Sequence, residues 1–107
     1  MLSREAAETY AVCFRSLADA TRVQILALLA RRDTPMSVGE IVAAMEVGQS
    51  TVSHHLKILA DVGFVLMEKH RTSSFFRINP ACISYFPTAA DVVMYRPTPD
   101  PQLWKVS

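Results

Sequence analysis

The stretch SVGEIVAAMEVGQSTVSHHLKILADVG, residues 37–63, decides how the rest of the chain is read. Ser37 and Glu40 stand at the S-x-x-E spacing of a capping box, in which each side chain satisfies a free backbone N–H at a helix start. Ile41, Val42 and Met45 then supply one apolar face. Val47 and Gly48 predict a tight turn. A second helix runs from about Gln49 to Val62, and Gly63 is a good C-terminal stop. Two helices joined by a short glycine-containing turn make a helix-turn-helix.

Downstream of Gly63 the period changes from helical to alternating. Phe64–Glu68 and Ser74–Ile78 are strand-like, and His70-Arg71-Thr72-Ser73 between them is polar and turn-like. This predicts a β-hairpin. Its turn lacks an Asn-Gly signal, so the register stays open. The fold expected is mainly α with one hairpin, a winged helix-turn-helix. The second helix of the pair would enter a DNA major groove while the hairpin tip touches backbone or minor groove.

Upstream, Ala7, Tyr10, Ala11, Phe14 and Leu17 form the apolar stripe of a first helix. Asp19 is placed to cap a second helix. Val23, Ile25, Leu26, Leu28 and Leu29 make that helix apolar on more than one side, which predicts a central position. Arg31 to Pro35 read as a connection. Beyond the hairpin, Asn79 and Pro80 start another helix. Pro87 interrupts it, and Thr88 or Asp91 can cap a fresh turn carrying Ala89, Val92 and Val93. Three of the six prolines follow Arg96. Residues 1–95 are therefore read as one domain and 96–107 as an extended Pro-rich tail.

Composition sets outer limits on function. A chain of 107 residues, half hydrophobic and a fifth charged, folds as one domain. No apolar run spans a membrane and no signal peptide opens the chain, so the expectation is a cytoplasmic protein. The net charge of +1 excludes a wholly basic polyanion binder, yet the charge is uneven. Residues 49–77 hold Lys57, Lys69, Arg71 and Arg77 against Asp61 and Glu68, while residues 1–48 hold five basic and six acidic residues. On charge alone, an ordinary solvated surface explains these lysines and arginines as well as a polyanion site does.

The face of the fourth helix is more informative. With Val52 set at zero, Leu56 lies at about 40°, Leu59 at about 340° and His55 at about 300° around the axis. Ser50, Ser53, His54 and Lys57 fall on the opposite side, between roughly 100° and 200°. Hydroxyls, an imidazole and an ammonium suit base edges and phosphates. Gln49 and Thr51 join them at the helix start. The candidate DNA-binding residues are thus Gln49, Ser50, Thr51, Ser53, His54 and Lys57, with Lys69 and Arg71 on the hairpin.

Residues 49–59, QSTVSHHLKIL, resemble the recognition helix of the ArsR/SmtB family of bacterial repressors. Residues 14–26, FRSLADATRVQIL, also resemble that family, as do Gly63-Phe64-Val65 and the hairpin after them. The likeness covers roughly residues 9–95. It implies a homodimeric repressor that pairs through its first and last helices and binds palindromic double-stranded operator DNA. In such a protein an inducer, often a metal or metalloid ion, weakens DNA binding.

The chain departs from the best-known inducer sites of that family. The third helix has no Cys-x-Cys, and no histidine follows His70. Cys13 and Cys82 remain, on elements that the family brings together at the dimer interface. Paired thiolates suit soft ions such as As(III), Hg(II) or Cd(II). Residues 79–87, NPACISYFP, resemble those of arsenic-type members. As(III) is therefore the favoured inducer, with no cofactor required. Burial of each thiol as a small hydrophobe and a redox switch stay open beside it. His54 and His55 diverge by about 100° on a helix, a poor chelate. The scattered methionines suit core filling. No phosphate loop, nucleophile elbow or metal-hydrolase motif is present, so no enzyme is expected. The competing function is a winged helix that binds protein, which would need exposed apolar anchors.

Overall fold

The computed structural model of the chain describes residues 2–85, with side chains through residue 82. Its elements run α1 (Arg4–Ser16), α2 (Ala20–Ala30), β1 (Met36–Ser37), α3 (Val38–Met45), α4 (Gln49–Val62), β2 (Val65–His70), β3 (Ser73–Ile78) and α5 (Pro80–Tyr85). The expected pieces beyond Tyr85, including the turn capped by Thr88 or Asp91, the domain end at residue 95 and the tail, lie outside the described residues. Among the described residues, no helix is long and apolar enough to cross a membrane.

Caps account for most of the helix boundaries. Ser3 caps α1 and Asp19 caps α2, accepting from Ala6 N–H and Arg22 N–H at 3.1 Å each. The capping box of α3 is complete. Ser37 Oγ accepts from Glu40 N–H at 3.2 Å, and Glu40 Oε1 accepts from Ser37 N–H at 2.9 Å. Gly63, at φ 92°, ends α4 in the left-handed region that glycine enters without strain.

The turn between α3 and α4 is built differently from expectation. The left-handed residue is Glu46, at φ 56°, while Gly48 is the extended N-cap of α4 at φ −64°. Gly48 is therefore not required by backbone conformation.

A strand that short alternation could not reveal completes the sheet. Met36 and Ser37 pair antiparallel with Phe76 and Phe75, giving the order β1-β3-β2. In the hairpin, Val65 pairs with Ile78, Met67 with Phe76 and His70 with Ser73. The loop shrinks to Arg71 and Thr72, and Arg71 takes a left-handed φ of 58° in place of the glycine or asparagine favoured there.

The core joins Tyr10 and Cys13 of α1, Ile25 and Leu29 of α2, Ile41 of α3, Val52, Leu56 and Leu59 of α4, and Val65 and Phe76 of the sheet. Two expectations are corrected. The buried edge of α1 is Tyr10-Cys13-Ser16, and Ala11 is exposed. Ser16 tolerates burial because its hydroxyl donates to Val12 O at 2.9 Å. Helix α2 is less central than its composition implied, since Val23 keeps 49% of its surface. Only the Ile25–Leu29 edge is closed over.

Candidate nucleic-acid interface

Helix α4 is two-sided. Val52, Leu56, Leu59 and Val62 are buried, and that packing holds the helix against the domain. Gln49, Ser50, Thr51, Ser53, His54 and Lys57 are all exposed. The N-cap, Gly48, offers no side-chain bond, so the first-turn N–H groups stay open to an outside acceptor. A Cβ at Gly48 would meet nothing within 4 Å.

Lys57 lies 3.5 Å from Asp61 one turn on, with both side chains mostly in solvent. Such a pair is worth little, so Lys57 can turn to a phosphate at small cost.

The sheet register sorts the hairpin residues onto two faces. Successive strand residues alternate, so Val65, Met67 and Lys69 share a face with their partners Ile78, Phe76 and Ser74. This face looks toward α4. Between them runs a groove of about 390 Å³ bordered by Ser53, Lys57, Met67, Ser74 and Phe76. Met67 is 55% exposed at its floor. Lys69 and Arg71 are exposed toward the hairpin tip.

The opposite face is internally neutralised. Arg77 Nε donates to Glu68 Oε1 at 2.8 Å, and His70 Nε2 lies 3.5 Å from Glu68 Oε2. The bond from Arg77, then that from His70, holds the Glu68 carboxyl below the usual glutamate range. Arg77, counted as part of the basic segment in the sequence, is thus committed to Glu68.

The two thiols lie on α1 and α5, and Cys82 sits beside the C-terminal end of α4. Cys13 is fully buried. Cys82 is half-buried, and its Sγ donates to Gly63 O at 3.3 Å. Asn79 joins it there. Its Nδ2 donates to the same Gly63 carbonyl at 2.9 Å, while its Oδ1 accepts from Ala81 N–H at 3.0 Å as the cap of α5. Burial, and then the charge Cys13 would carry, push the Cys82 thiol up to about 11. Among the described residues, no group of three or more His, Cys, Asp or Glu could hold a metal ion.

Comparison with known proteins matches this geometry. Residues 19–66 fit the family model described as bacterial regulatory protein, arsR family. An uncharacterized HTH-type transcriptional regulator of Methanocaldococcus jannaschii is 39% identical over 71 residues, which is 66% of this chain and 79% of that protein. The arsenical resistance operon repressor of Bacillus subtilis is 36% identical over 66 residues, covering 62% of each chain. The solution structure of a homodimeric winged helix-turn-helix DNA-binding domain from Mycobacterium bovis, a possible ArsR-family transcriptional regulator, superposes with a TM-score of 0.63 at 31% identity. That match covers 73% of this chain and 72% of the other. With a helix-turn-helix, a wing and an open polar face on α4, the chain belongs to the ArsR/SmtB family and is a DNA-binding transcriptional regulator rather than an enzyme.

Proposed function

We propose that this regulator acts in the cytoplasm as a homodimeric repressor on a palindromic operator, and that a thiophilic inducer, As(III) in preference to a dication, releases it. The observation that carries the DNA half is the α4 surface. Six polar residues, from Gln49 to Lys57, stand exposed on a helix whose reverse side is closed core. Lys69 and Arg71 extend the same surface along the hairpin. The α4 side chains read base edges, the first-turn N–H groups and Lys57 take phosphates, and Arg71 reaches the adjacent groove. The homodimeric M. bovis neighbour and the exposed Val12 on α1 support pairing through α1.

The chemistry of the thiols favours arsenous acid. A dication binds thiolates, so it must first expel protons, and the Cys82 thiol near 11 resists that. Arsenous acid condenses with thiols instead. Each S–H proton leaves with an arsenic-bound hydroxide as water, so As(OH)3 and two thiols give a dithiolate arsenic hydroxide and two waters. No net proton is released. The same raised pKa counts against a peroxide-driven disulfide, which starts from a thiolate.

Fluorescence anisotropy on DNA from the protein's own promoter, under reducing conditions, tests both halves. Operator binding that falls steeply with salt supports the DNA reading, and salt-insensitive or absent binding overturns it in favour of a protein-interaction module. Arsenite added to the complex should release it stoichiometrically, and the response should vanish in Cys13→Ser and Cys82→Ser. Release that survives both substitutions overturns the thiol site.

A further inference from the structure

His55 lies at the flank of the buried face of α4. It turns toward the corner where α1 ends and α2 begins, and its side chain keeps only 12% of its surface. There its Nδ1 lies 3.2 Å from Arg22 Nη1. Arginine only donates, so Nδ1 is the acceptor and the neutral ring carries its proton on Nε2. That proton faces Asp19 Oδ1 at 4.0 Å.

Arg22 is held from two further sides. Its Nε donates to Ser16 O, the last residue of α1, at 2.6 Å, and its backbone N–H donates to Asp19 Oδ1 at 3.1 Å. One guanidinium thus ties the end of α1 and the start of α2 to the middle of α4.

Elsewhere the inner face of α4 packs through Val52, Leu56 and Leu59, and the Asn79 amide holds Gly63 O at its C-terminal end. Close packing resists large rolls, but apolar burial is non-directional, so those three side chains define the roll angle less sharply than a directional bond near the DNA-facing half of the helix does. A hydrogen bond with an angular requirement resists the roll. The effect at the DNA surface is geometric. A roll of about 20° moves a side-chain tip at the helix radius by about 2 Å, enough to break a bond to a base edge.

We propose that Arg22 and His55 are positioning residues for DNA reading. Together they set the roll angle of α4, and hence which base edges Ser50, Ser53 and His54 meet, without touching DNA. The inference rests on α4 being the DNA-reading helix. It assigns sequence discrimination, rather than overall affinity, to a contact buried behind that helix.

Glutamine at position 55 can accept from Arg22 and donate toward Asp19, so it keeps the contact that alanine removes.

The test measures binding of the full chain to promoter DNA and to random DNA of equal length. The variants are His55→Gln, His55→Ala, Arg22→Gln and the double variant His55→Ala/Arg22→Gln, each first checked for a cooperative melt. His55→Ala and Arg22→Gln should each lower the ratio of operator to random-DNA affinity about tenfold, and the double variant should fall no further. His55→Gln should keep most of the ratio. Equal losses on both DNAs, additive losses in the double variant, or a His55→Gln variant as impaired as His55→Ala would overturn the proposal. Should Arg22→Gln fail to fold through loss of the Ser16 bond, the two His55 variants still decide, because they leave that bond intact. A wild type that shows no operator preference at all defeats the DNA-reading assignment of α4 itself, a different outcome from a preference that ignores His55.

Discussion

Replacing Asn79 with alanine should destabilise the domain well beyond an ordinary substitution. Asn79 is 1% exposed and spends both ends of its amide, one on Gly63 O and one on Ala81 N–H. Loss of the cap on α5 costs about 1 kcal/mol. Loss of the donor to the part-buried Gly63 carbonyl costs about 1–2 kcal/mol more, because the remaining Cys82 thiol is a weak donor. The sum is about 2–3 kcal/mol, which for a domain of this size lowers Tm by about 10–20 °C. Thermal unfolding followed by far-ultraviolet circular dichroism, at one fixed protein concentration because the protein is proposed to dimerise, reads this directly. Asn79→Ser can still cap Ala81 N–H but cannot reach Gly63, so it should recover roughly the cap's share of about 1 kcal/mol. The reasoning fails if Asn79→Ala costs less than about 0.5 kcal/mol, the range of a surface change, or if serine is as harmful as alanine.

Lys57→Ala and Arg71→Ala should each weaken binding to all DNA sequences alike and reduce the salt slope by about 1, as read by anisotropy across a salt series. Arg71→Gly should do the same to DNA binding yet raise stability by about 1 kcal/mol in urea unfolding, since it relieves the left-handed φ of 58° at that position. Cys82 should alkylate about 100-fold more slowly at neutral pH than an ordinary thiol, because a shift from 9.0 to about 11 shrinks its thiolate fraction by that factor; mass spectrometry of iodoacetamide-treated protein follows it. Glu68 has a folded-state pKa below its unfolded value, so its contribution is present at neutral pH and is lost as pH falls through the carboxylate range. Glu68→Gln should therefore melt lower at pH 7 and show a shallower loss of Tm on acidification.

Elements with local chemistry were readable from the chain. The Ser37–Glu40 box, the Asp19 and Asn79 caps and the Gly63 stop each depend on residues within a few positions, and all four occur as expected. The exposed and buried sides of α4 followed from the helical repeat alone. What escaped had a non-local or conformational cause. Strand β1 is two residues long and exists only because β3 lies beside it. Glu46 and Arg71 adopt left-handed backbone although neither is a residue type that signals it. Ala11 was placed in the α1 stripe although it is exposed, because Tyr10-Cys13 and Ala11-Phe14 make equally apolar edges and only the position of the neighbouring helices chooses between them. The Arg22–His55 contact joins residues 33 apart, and nothing local to either one announces the other. Its trace in the sequence was the angle of His55, near 300°, on the flank of the core side of α4.

Ser37 belongs to three structures at once. It ends β1, pairs with Phe75 of the hairpin, and caps α3. The wing is thus welded through one residue to the first helix of the helix-turn-helix. A force that peels β3 from β1 also strips the cap from α3, and a fraying α3 loosens the base of the hairpin. The two parts of the DNA-binding surface cannot open independently. They form one cooperative unit, so the surface proposed to meet DNA is a single rigid tool and not a helix with a free-swinging arm.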